Sequence, residues 1–268
     1  TFQSTTGSNG GAIYNNKEAN ITDTIFQTIK GGTIYTAGTL NMKNTLINDS
    51  TGRAISNNGI LTIINSEINK GSGIYNNNQT TIINTTFNEC NGVGSAIYNN
   101  NILNIENCQI TNNQASADIK WRYEEQSDGQ TFAFVDRVYS GVIYNGENAN
   151  ANITQSVIKN NIVNSNTNND WQTYYGNIKN DGILKISGCV FDNNTPNWKW
   201  YGGDGSFNIY NTGKITVMYC YLLNTKIYIG ESTGGGVHSP HSFLYNTGKG
   251  TCNINYNFYC LSIDKIIK

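Results

Sequence analysis

The sequence predicts an all-β fold, a right-handed, single-stranded parallel β-helix of about nine three-strand rungs in which residues 1–268 form one domain. The first observation behind this prediction is a unit such as residues 10–16, Gly-Gly-Ala-Ile-Tyr-Asn-Asn, which recurs along the chain. The second is a pair of alternating apolar residues after each unit, and the third is a polar bend residue at a fixed offset. One copy cannot bury its own apolar residues, so copies must stack, as in a solenoid.

The copies are regular at first and more widely spaced later. Their central apolar residues are Ile13, Ile34, Ile55, Ile74, Ile97, Ile143, Ile178, Ile209 and Leu244. Subtracting these positions gives intervals of 21, 21, 19 and 23 residues, followed by 46, 35, 31 and 35. Equivalent strands stacked about 4.8 Å apart would form a coil, and the usual hand of parallel connections predicts a right-handed one. A leucine-rich repeat would need a helix-forming half, which the copies lack.

The first strand of each copy places Ile and Asn on the inner face. A buried unpaired amide costs roughly 1–3 kcal/mol, but identical amides stacked along an axis bond to one another. The sequence therefore predicts a buried ladder, with Thr36 as its exception, made of Asn15, Asn57, Asn76, Asn99, Asn145, Asn180, Asn211 and Asn246. The residue between Ile and Asn points outward and forms a row of rings: Tyr14, Tyr35, Tyr75, Tyr98, Tyr144, Tyr210 and Tyr245. Such a row either stabilises the sheet or offers a platform for sugars or a protein.

The second and third strands follow from the remaining pattern. Alternating apolar pairs such as Leu61 and Ile63 lie six and eight positions after the central Ile and indicate a half-buried strand. An Asn ten positions after that Ile suits a sharp left-handed bend, as at Asn44, Asn65, Asn84 and Asn107. A small residue and then a large apolar one begin the third strand, as in Thr85 and Phe87.

The composition argues against several classes of partner and cofactor. The formal net charge is −1 and only 13% of residues are charged, so no basic surface for nucleic acid or an anionic membrane is indicated. No apolar run approaches the ~18 residues of a membrane-spanning helix. The six cysteines form no CxxC pair, and no cofactor is expected. Cys189 and Cys220 share one inward column and are predicted to be a free thiol pair rather than a disulfide.

The longer intervals predict loop insertions near residues 114–139, 161–174, 192–204 and 224–240, all leaving one corner of the coil. Insertions at one corner lie side by side, and such clusters bind ligands in many repeat proteins. All four Trp and both His fall within them. The candidate ligand-binding residues are Trp121, Tyr123, Trp171, Tyr174, Tyr175, Trp198, Trp200, Tyr201, Asp204, His238 and His241. The same aromatic rings could instead form small cores of their own.

The carboxylates of the insertions leave an enzymatic function open, but the strands and the His residues do not favour it. Glycosidases need two carboxylates at a defined separation, and candidates are Asp118, Asp136, Asp170 and Asp204. The strands carry Asn, Thr and Tyr, in contrast to the acidic, His and Arg motifs of polygalacturonase and pectate-lyase families. His238 and His241 lack nearby acids or thiols, so no metal site is predicted.

Gly10-Gly11-Ala12-Ile13, together with the Phe-x-x-Asn element that ends at Asn194, resembles the repeat of chlamydial polymorphic outer-membrane proteins. The fuller pattern Gly-x-Ile-Tyr-Asn-Asn-x-Gly-x-Leu-x-Ile-x-Asn-Ser-x-Phe covers nearly the whole chain and resembles the adhesin-like proteins of methanogenic archaea. This resemblance implies an extracellular protein that is tethered to the cell surface and attaches cells to hosts, partners or polysaccharide.

We therefore expect a non-catalytic, monomeric adhesion module that binds a glycan or a surface protein of a host or neighbouring cell. The first repeat begins almost at once, which suggests a segment of a longer surface protein whose anchor lies elsewhere. Two alternatives are a polysaccharide lyase or glycoside hydrolase of β-helix type and a segment of a viral tailspike. Tailspikes are trimers, so mass in solution separates the last alternative from the others.

Overall fold

The computed structural model describes residues 1–8, 10–116, 118–125, 129–139, 141–164, 175–197, 206–223, 242–246, 250–255 and 258–260. Strands make up 68% of the structure, and no helix occurs in these ranges. The all-β prediction is confirmed. The strands form a 22-stranded sheet, a nine-stranded sheet and a separate two-stranded sheet.

The strands that carry the Ile-x-Asn unit are called the tyrosine stack. They are Ile13–Asn15, Ile34–Thr36, Arg53–Asn57, Glu67–Asn76, Ile97–Asn99, Ile143–Asn145, Tyr175–Asn180, Ser206–Asn211 and Ser242–Asn246. Each pairs in parallel with the equivalent strand of the next copy, and the central apolar residues are aligned throughout. This register is the one that the repeat alignment predicts.

The nine-stranded sheet, called the leucine stack, contains the second strand of each copy. Its strands are Glu18–Thr22, Thr39–Lys43, Ile60–Ile64, Gln79–Ile83, Ile102–Glu106, Asn150–Thr154, Ile183–Ser187, Lys214–Met218 and Thr251–Asn255. All neighbours are parallel, with Leu40 aligned to Leu61 and Met42 to Ile63. These four inward side chains are at most 2% exposed, so the predicted alternation is confirmed.

The third strands form the phenylalanine stack. They are Phe2–Gln3, Ile25–Gly31, Leu46–Ser50, Glu67–Asn76, Thr86–Gly92, Gln109–Thr111, Val157–Lys159, Val190–Asp192, Tyr221–Leu223 and Phe258–Cys260. Shorter strands, Thr6–Gly7, Gln114–Ser116, Ile162–Asn164 and Thr195–Asn197, extend this sheet by parallel pairing. Glu67–Asn76 belongs to both the phenylalanine and the tyrosine stacks, because it turns the corner without a break. The three stacks of parallel strands fit a β-solenoid.

Two series of left-handed residues turn the chain at its corners. Asn44, Asn65, Asn84 and Asn107 have φ values between 49° and 51°, which confirms the predicted bend. A second series, which the sequence analysis did not identify, lies after the large apolar residue of the third strand: Thr28, Asp49, Lys70, Glu89, Asn112, Asn160 and Asn193. Its residue types are mixed, so no single letter marks it. These bends direct side chains of all three stacks into one core that includes Phe26, Phe87 and Phe191.

The described parts of the predicted insertions are not all loops. Gln114–Ser116, Ile162–Asn164 and Thr195–Asn197 pair with their neighbours and continue the parallel sheet. Asp118–Glu125 and Thr131–Tyr139 form an antiparallel hairpin with a register shift between Lys120 and Trp121. Residues 114–139 are therefore largely strand rather than loop. Apolar and charged residues alternate within this segment, and such alternation fits the strands of a hairpin. The insertion near 224–240 lies outside the described residues.

Candidate functional site

The buried amide ladder is confirmed, and it explains why Asn is so frequent on the inner face. Nδ2 of each Asn donates to Oδ1 of the next, at distances from 2.6 to 2.9 Å, along Asn57, Asn76, Asn99, Asn145, Asn180 and Asn211. Asn15 donates instead to Thr36 Oγ1, at 3.0 Å. The ladder satisfies buried polar groups and is part of the architecture rather than a binding surface.

The outer face of the tyrosine stack carries the candidate site. The Tyr14 and Tyr35 rings stack with centroids 4.8 Å apart and planes 13° apart. Tyr98 lies 5.0 Å from Tyr75 and 4.6 Å from Tyr144 in tilted arrangements. Tyr14 is 61% exposed, so its flat ring is open to a ligand. The column of tyrosine rings is therefore real, and it is most accessible at its N-terminal end.

A column of outward amides runs beside the rings. Asn77 Nδ2 donates to Asn58 Oδ1 at 2.7 Å, and Asn100 Nδ2 donates to Asn77 Oδ1 at 2.8 Å. The two columns are joined, because Asn58 donates to the Tyr35 hydroxyl at 2.9 Å and Asn100 to the Tyr75 hydroxyl at 3.2 Å. Rings, hydroxyls and amides thus alternate on this face, which suits a ligand with both C–H and hydroxyl groups.

Two copies interrupt the tyrosine column. Ser56 occupies the tyrosine position between Tyr35 and Tyr75, and Lys179 occupies it between Tyr144 and Tyr210. Neither residue was singled out from the sequence as a site residue. Both positions stand out when the copies are aligned on their central Ile, but as departures from the repeat and not as recurring residues.

Lys179 is the centre of a buried polar cluster. Its Nζ forms an ion pair with Asp181, lies 3.3 Å from Thr212 Oγ1 and is 4.3 Å from the centroid of the Tyr210 ring. The Thr212 hydroxyl also bonds to Asp181. Burial lowers the pKa of Lys179, and the Asp181 carboxylate opposes that shift.

The outer face is closed at this cluster. Lys179 and Tyr144 are each 3% exposed, although alternation directs both away from the core. The prediction that the tyrosine row is exposed along its whole length is therefore wrong at Tyr144. Alternation identifies the side of a strand, but it carries no information about what lies over that side.

Most of the sequence-predicted binding residues cannot be placed. Tyr123 is 68% exposed on the hairpin strand Asp118–Glu125. Trp121 lies on the same strand, opposite Val135, and Tyr175 begins the strand Tyr175–Asn180. Among the described residues, Trp121 and Tyr123 therefore share one strand, and Tyr175 lies on another. Outside the described residues are Trp171, Tyr174, Trp198, Trp200, Tyr201, Asp204, His238 and His241.

Metal-ligating side chains are not clustered among the described residues. No group of three or more His, Cys, Asp or Glu side chains that could hold a metal ion occurs among them. Asp118 lies opposite Tyr139 and Asp136 lies on the partner strand, whereas Asp170 and Asp204 fall outside the described residues.

The described part of the chain contains no helix of a length and apolarity that would cross a membrane.

The cysteines with described side chains do not form disulfides. Cys90, Cys108, Cys189 and Cys220 are buried and Cys252 is exposed, and none of these five is linked by a disulfide. Burial raises the pKa of Cys90 to about 12 and that of Cys108 to about 11. A hydrogen bond with Cys220, together with burial, raises the pKa of Cys189. The same hydrogen bond lowers the pKa of Cys220. Neutral buried thiols are poor nucleophiles, so Cys90 and Cys108 act in packing.

The structure also contains a second internal amide ladder. Asn113 Nδ2 donates to Asn161 Oδ1, and Asn161 Nδ2 donates to Asn194 Oδ1, each at 3.0 Å. Its sequence signal is the apolar-x-x-Asn element that ends at Asn194, which from the sequence indicated a family resemblance and not a structural role.

No protein-family model, curated protein or solved structure matches the chain.

Proposed function

We propose that this chain is a non-catalytic, adhesin-like module of the extracellular cell surface that binds glycans or a surface protein of another cell. The observation that carries the proposal is the exposure of aromatic rings on two outer surfaces, 61% for Tyr14 and 68% for Tyr123. A rigid scaffold that holds flat rings in water is suited to binding rather than to chemistry.

The surroundings of Tyr14 and Tyr35 support binding of a polar, uncharged partner. The face beside Tyr14 and Tyr35 consists of amides and hydroxyls, including Asn58 and Asn77. Sugars combine C–H faces that pack on aromatic rings with hydroxyls that pair with amides. The parallel ladders make the scaffold stiff, because each strand is bonded to a neighbour along the stack. A stiff array suits repeated contact with a large surface.

The experiment is a glycan array and a cell-surface pull-down with the intact chain, compared with Tyr123→Ala and Trp121→Ala. Both variants are expected to lose at least about tenfold in affinity. Tyr221→Ala is the matched control, since Tyr221 is 49% exposed on the phenylalanine stack. Absence of binding by the intact chain would reject the proposed function, and equal binding by all variants would exclude Trp121 and Tyr123 from the binding surface.

We further infer that the scaffold is a right-handed, single-stranded β-helix of about nine rungs that forms one monomeric domain. The nine strands of the leucine stack support the number of rungs, and the usual hand of parallel connections supports the handedness. A crystal structure tests the hand and the rung count. Light scattering should give a mass near 29.5 kDa, and a trimer would favour a tailspike instead.

A further inference from the structure

The interruption of the tyrosine column at Ser56 leaves space for one ring. Ser56 is aligned with Tyr35 on one side and with Tyr75 on the other. Adjacent parallel strands lie about 4.8 Å apart, so Tyr35 and Tyr75 are separated by about 9.6 Å along the stack. Tyr14 and Tyr35 show that neighbouring rings here stack at 4.8 Å. A flat ring between Tyr35 and Tyr75 would therefore lie about 4.8 Å from each.

The long side chain nearest to this gap lies beside the column and does not enter it. The Arg53 Cζ atom is 5.6 Å from the Tyr75 centroid and 5.9 Å from the Tyr98 centroid, and those two centroids are 5.0 Å apart. The three points form a nearly equilateral triangle, so the guanidinium is level with the space between the two rings. Arg53 donates to the carbonyls of Val93 and Gly94, which hold it at the corner.

The second interruption shows what a filled gap looks like. Lys179 extends over the Tyr210 ring at 4.3 Å and is 3% exposed. Ser56 has only a hydroxymethyl group and is half-buried, so it cannot occupy the volume that a tyrosine ring fills elsewhere. The two sites therefore differ in one property, since the gap is closed at Lys179 and open at Ser56.

The lining of the Ser56 gap specifies the chemistry of an occupant. Two tyrosine faces form the walls, the Ser56 hydroxyl forms the floor, and the Asn58 amide lies at one end. Asn58 is exposed and uses one of its two N–H groups for the Tyr35 hydroxyl, so the second remains for a ligand. These four side chains are uncharged, and the Arg53 guanidinium lies beside Tyr75 toward Tyr98. The surface matches a ring with apolar faces and a hydroxyl-bearing rim.

We propose that the Ser56 gap binds a single neutral hexopyranose ring of a glycan, stacked between Tyr35 and Tyr75. The ring hydroxyls pair with Ser56 and Asn58, while the C–H faces pack on the tyrosine rings. This site rests on the proposed glycan-binding function but is separate from Tyr123. An aromatic side chain of a partner protein would pack between Tyr35 and Tyr75 but would leave the polar groups of Ser56 and Asn58 unpaired. A sugar is therefore favoured.

The test is calorimetric titration of the intact chain with cellohexaose and mannohexaose. At least one is expected to bind, and Ser56→Tyr should weaken that binding by at least about tenfold because it completes the column of rings. Ser56→Ala keeps the gap open but removes one hydroxyl contact, so it should weaken binding by about threefold, less than Ser56→Tyr does. Thermal unfolding provides the folding control, and Ser56→Tyr should unfold at a higher temperature than the unchanged chain.

Three results would overturn the site: no binding of either oligosaccharide, unchanged binding by a folded Ser56→Tyr, or binding of a tyrosine-containing peptide in place of the sugars. The wider function fails separately. Glycan binding that is lost in Tyr123→Ala and retained in Ser56→Tyr would reject this gap and leave the proposed module intact. If both variants retain full binding, both the gap and the Tyr123 surface are rejected as the place where the glycan binds.

Discussion

The Tyr144 hydroxyl donates to Oδ2 of Asp181, in the next copy of the repeat, at 3.0 Å. The same diagonal connects Tyr35 to Asn58 and Tyr75 to Asn100, where the amide donates instead. A carboxylate has therefore taken the amide position in a recurring ring-to-amide contact. Its charge is balanced by Lys179, which takes the tyrosine position in the same copy. The two exceptions to the repeat compensate each other.

This compensation predicts that neither exception is tolerated alone. Asp181→Asn should lower the free energy of unfolding by about 3 kcal/mol, because it leaves the Lys179 ammonium buried without its carboxylate. The double variant Lys179→Tyr with Asp181→Asn restores the pattern of the other copies and should recover most of that loss. Urea unfolding monitored by circular dichroism measures both. A loss below about 0.5 kcal/mol in Asp181→Asn would mean that the ion pair is not structural.

The buried thiol of Cys108 predicts a loss of stability at alkaline pH. Its pKa is raised from 9.0 to about 11 in the folded chain because burial disfavours the thiolate. A raised pKa contributes stability that is fully present below pH 9 and is lost as the pH rises toward 11. Between about pH 8.5 and 10.5, Cys108→Ser should therefore lose about 1–2 kcal/mol less than the unchanged chain.

Serine is the suitable replacement, because Ser156 holds the next position of the same column and donates to Thr154 O at 2.7 Å. Lys179, whose lowered pKa acts in the opposite direction, is common to both proteins and cancels in the difference. Parallel pH profiles for the two proteins would show that Cys108 titrates normally when folded.

The sequence was sufficient for the repeat register because one letter recurred where one physical task recurred. Asn57 and Asn76 repeat as amides since an amide offers a donor to one neighbour and an acceptor to the other along a buried axis. Asn44 and Asn65 repeat because Asn adopts φ near 50° readily and its amide also bonds to the neighbouring copy, as Asn84 donates to Asn65 Oδ1 at 3.1 Å. The second corner could not be predicted in this way, because residues as different as Thr28 and Lys70 meet its backbone requirement.

The candidate site was harder to predict, because it depends on departures from the pattern. Ser56 belongs to the candidate site because its position lacks the tyrosine ring of other copies. The gap is recognised by comparison with the aligned neighbours Tyr35 and Tyr75. Tyr144 follows the pattern and is nevertheless buried, since what covers an outward side chain is decided by tertiary structure. The aromatic insertions were identified from composition. Among the described residues, the structure places Trp121 and Tyr123 of these insertions on a common strand.

Substitution within the inner ladder should be far more costly than substitution within the outer one. Asn99 is fully buried, donates to Asn145 and accepts from Asn76. Asn99→Leu leaves polar atoms on both neighbours unpaired and should cost about 2–4 kcal/mol. Asn77→Ala is the matched control on the exposed ladder and should cost below about 1 kcal/mol, because water replaces the lost bonds. Chemical denaturation compares them, and equal losses would contradict the assignment of the inner ladder as structural.

The left-handed bends predict that stability can be raised at Gln155. This residue has φ of 51° at the position where other copies carry Asn, as at Asn107 with φ of 50°. Asn adopts the left-handed region more readily than a longer side chain, so Gln155→Asn should raise the free energy of unfolding by about 0.5–1 kcal/mol. Gln155→Val should lower it, because a β-branched residue is strained at positive φ. Thermal and urea unfolding of the two variants should shift in opposite directions, and a shift of both in one direction would show that backbone conformation does not set stability at this corner.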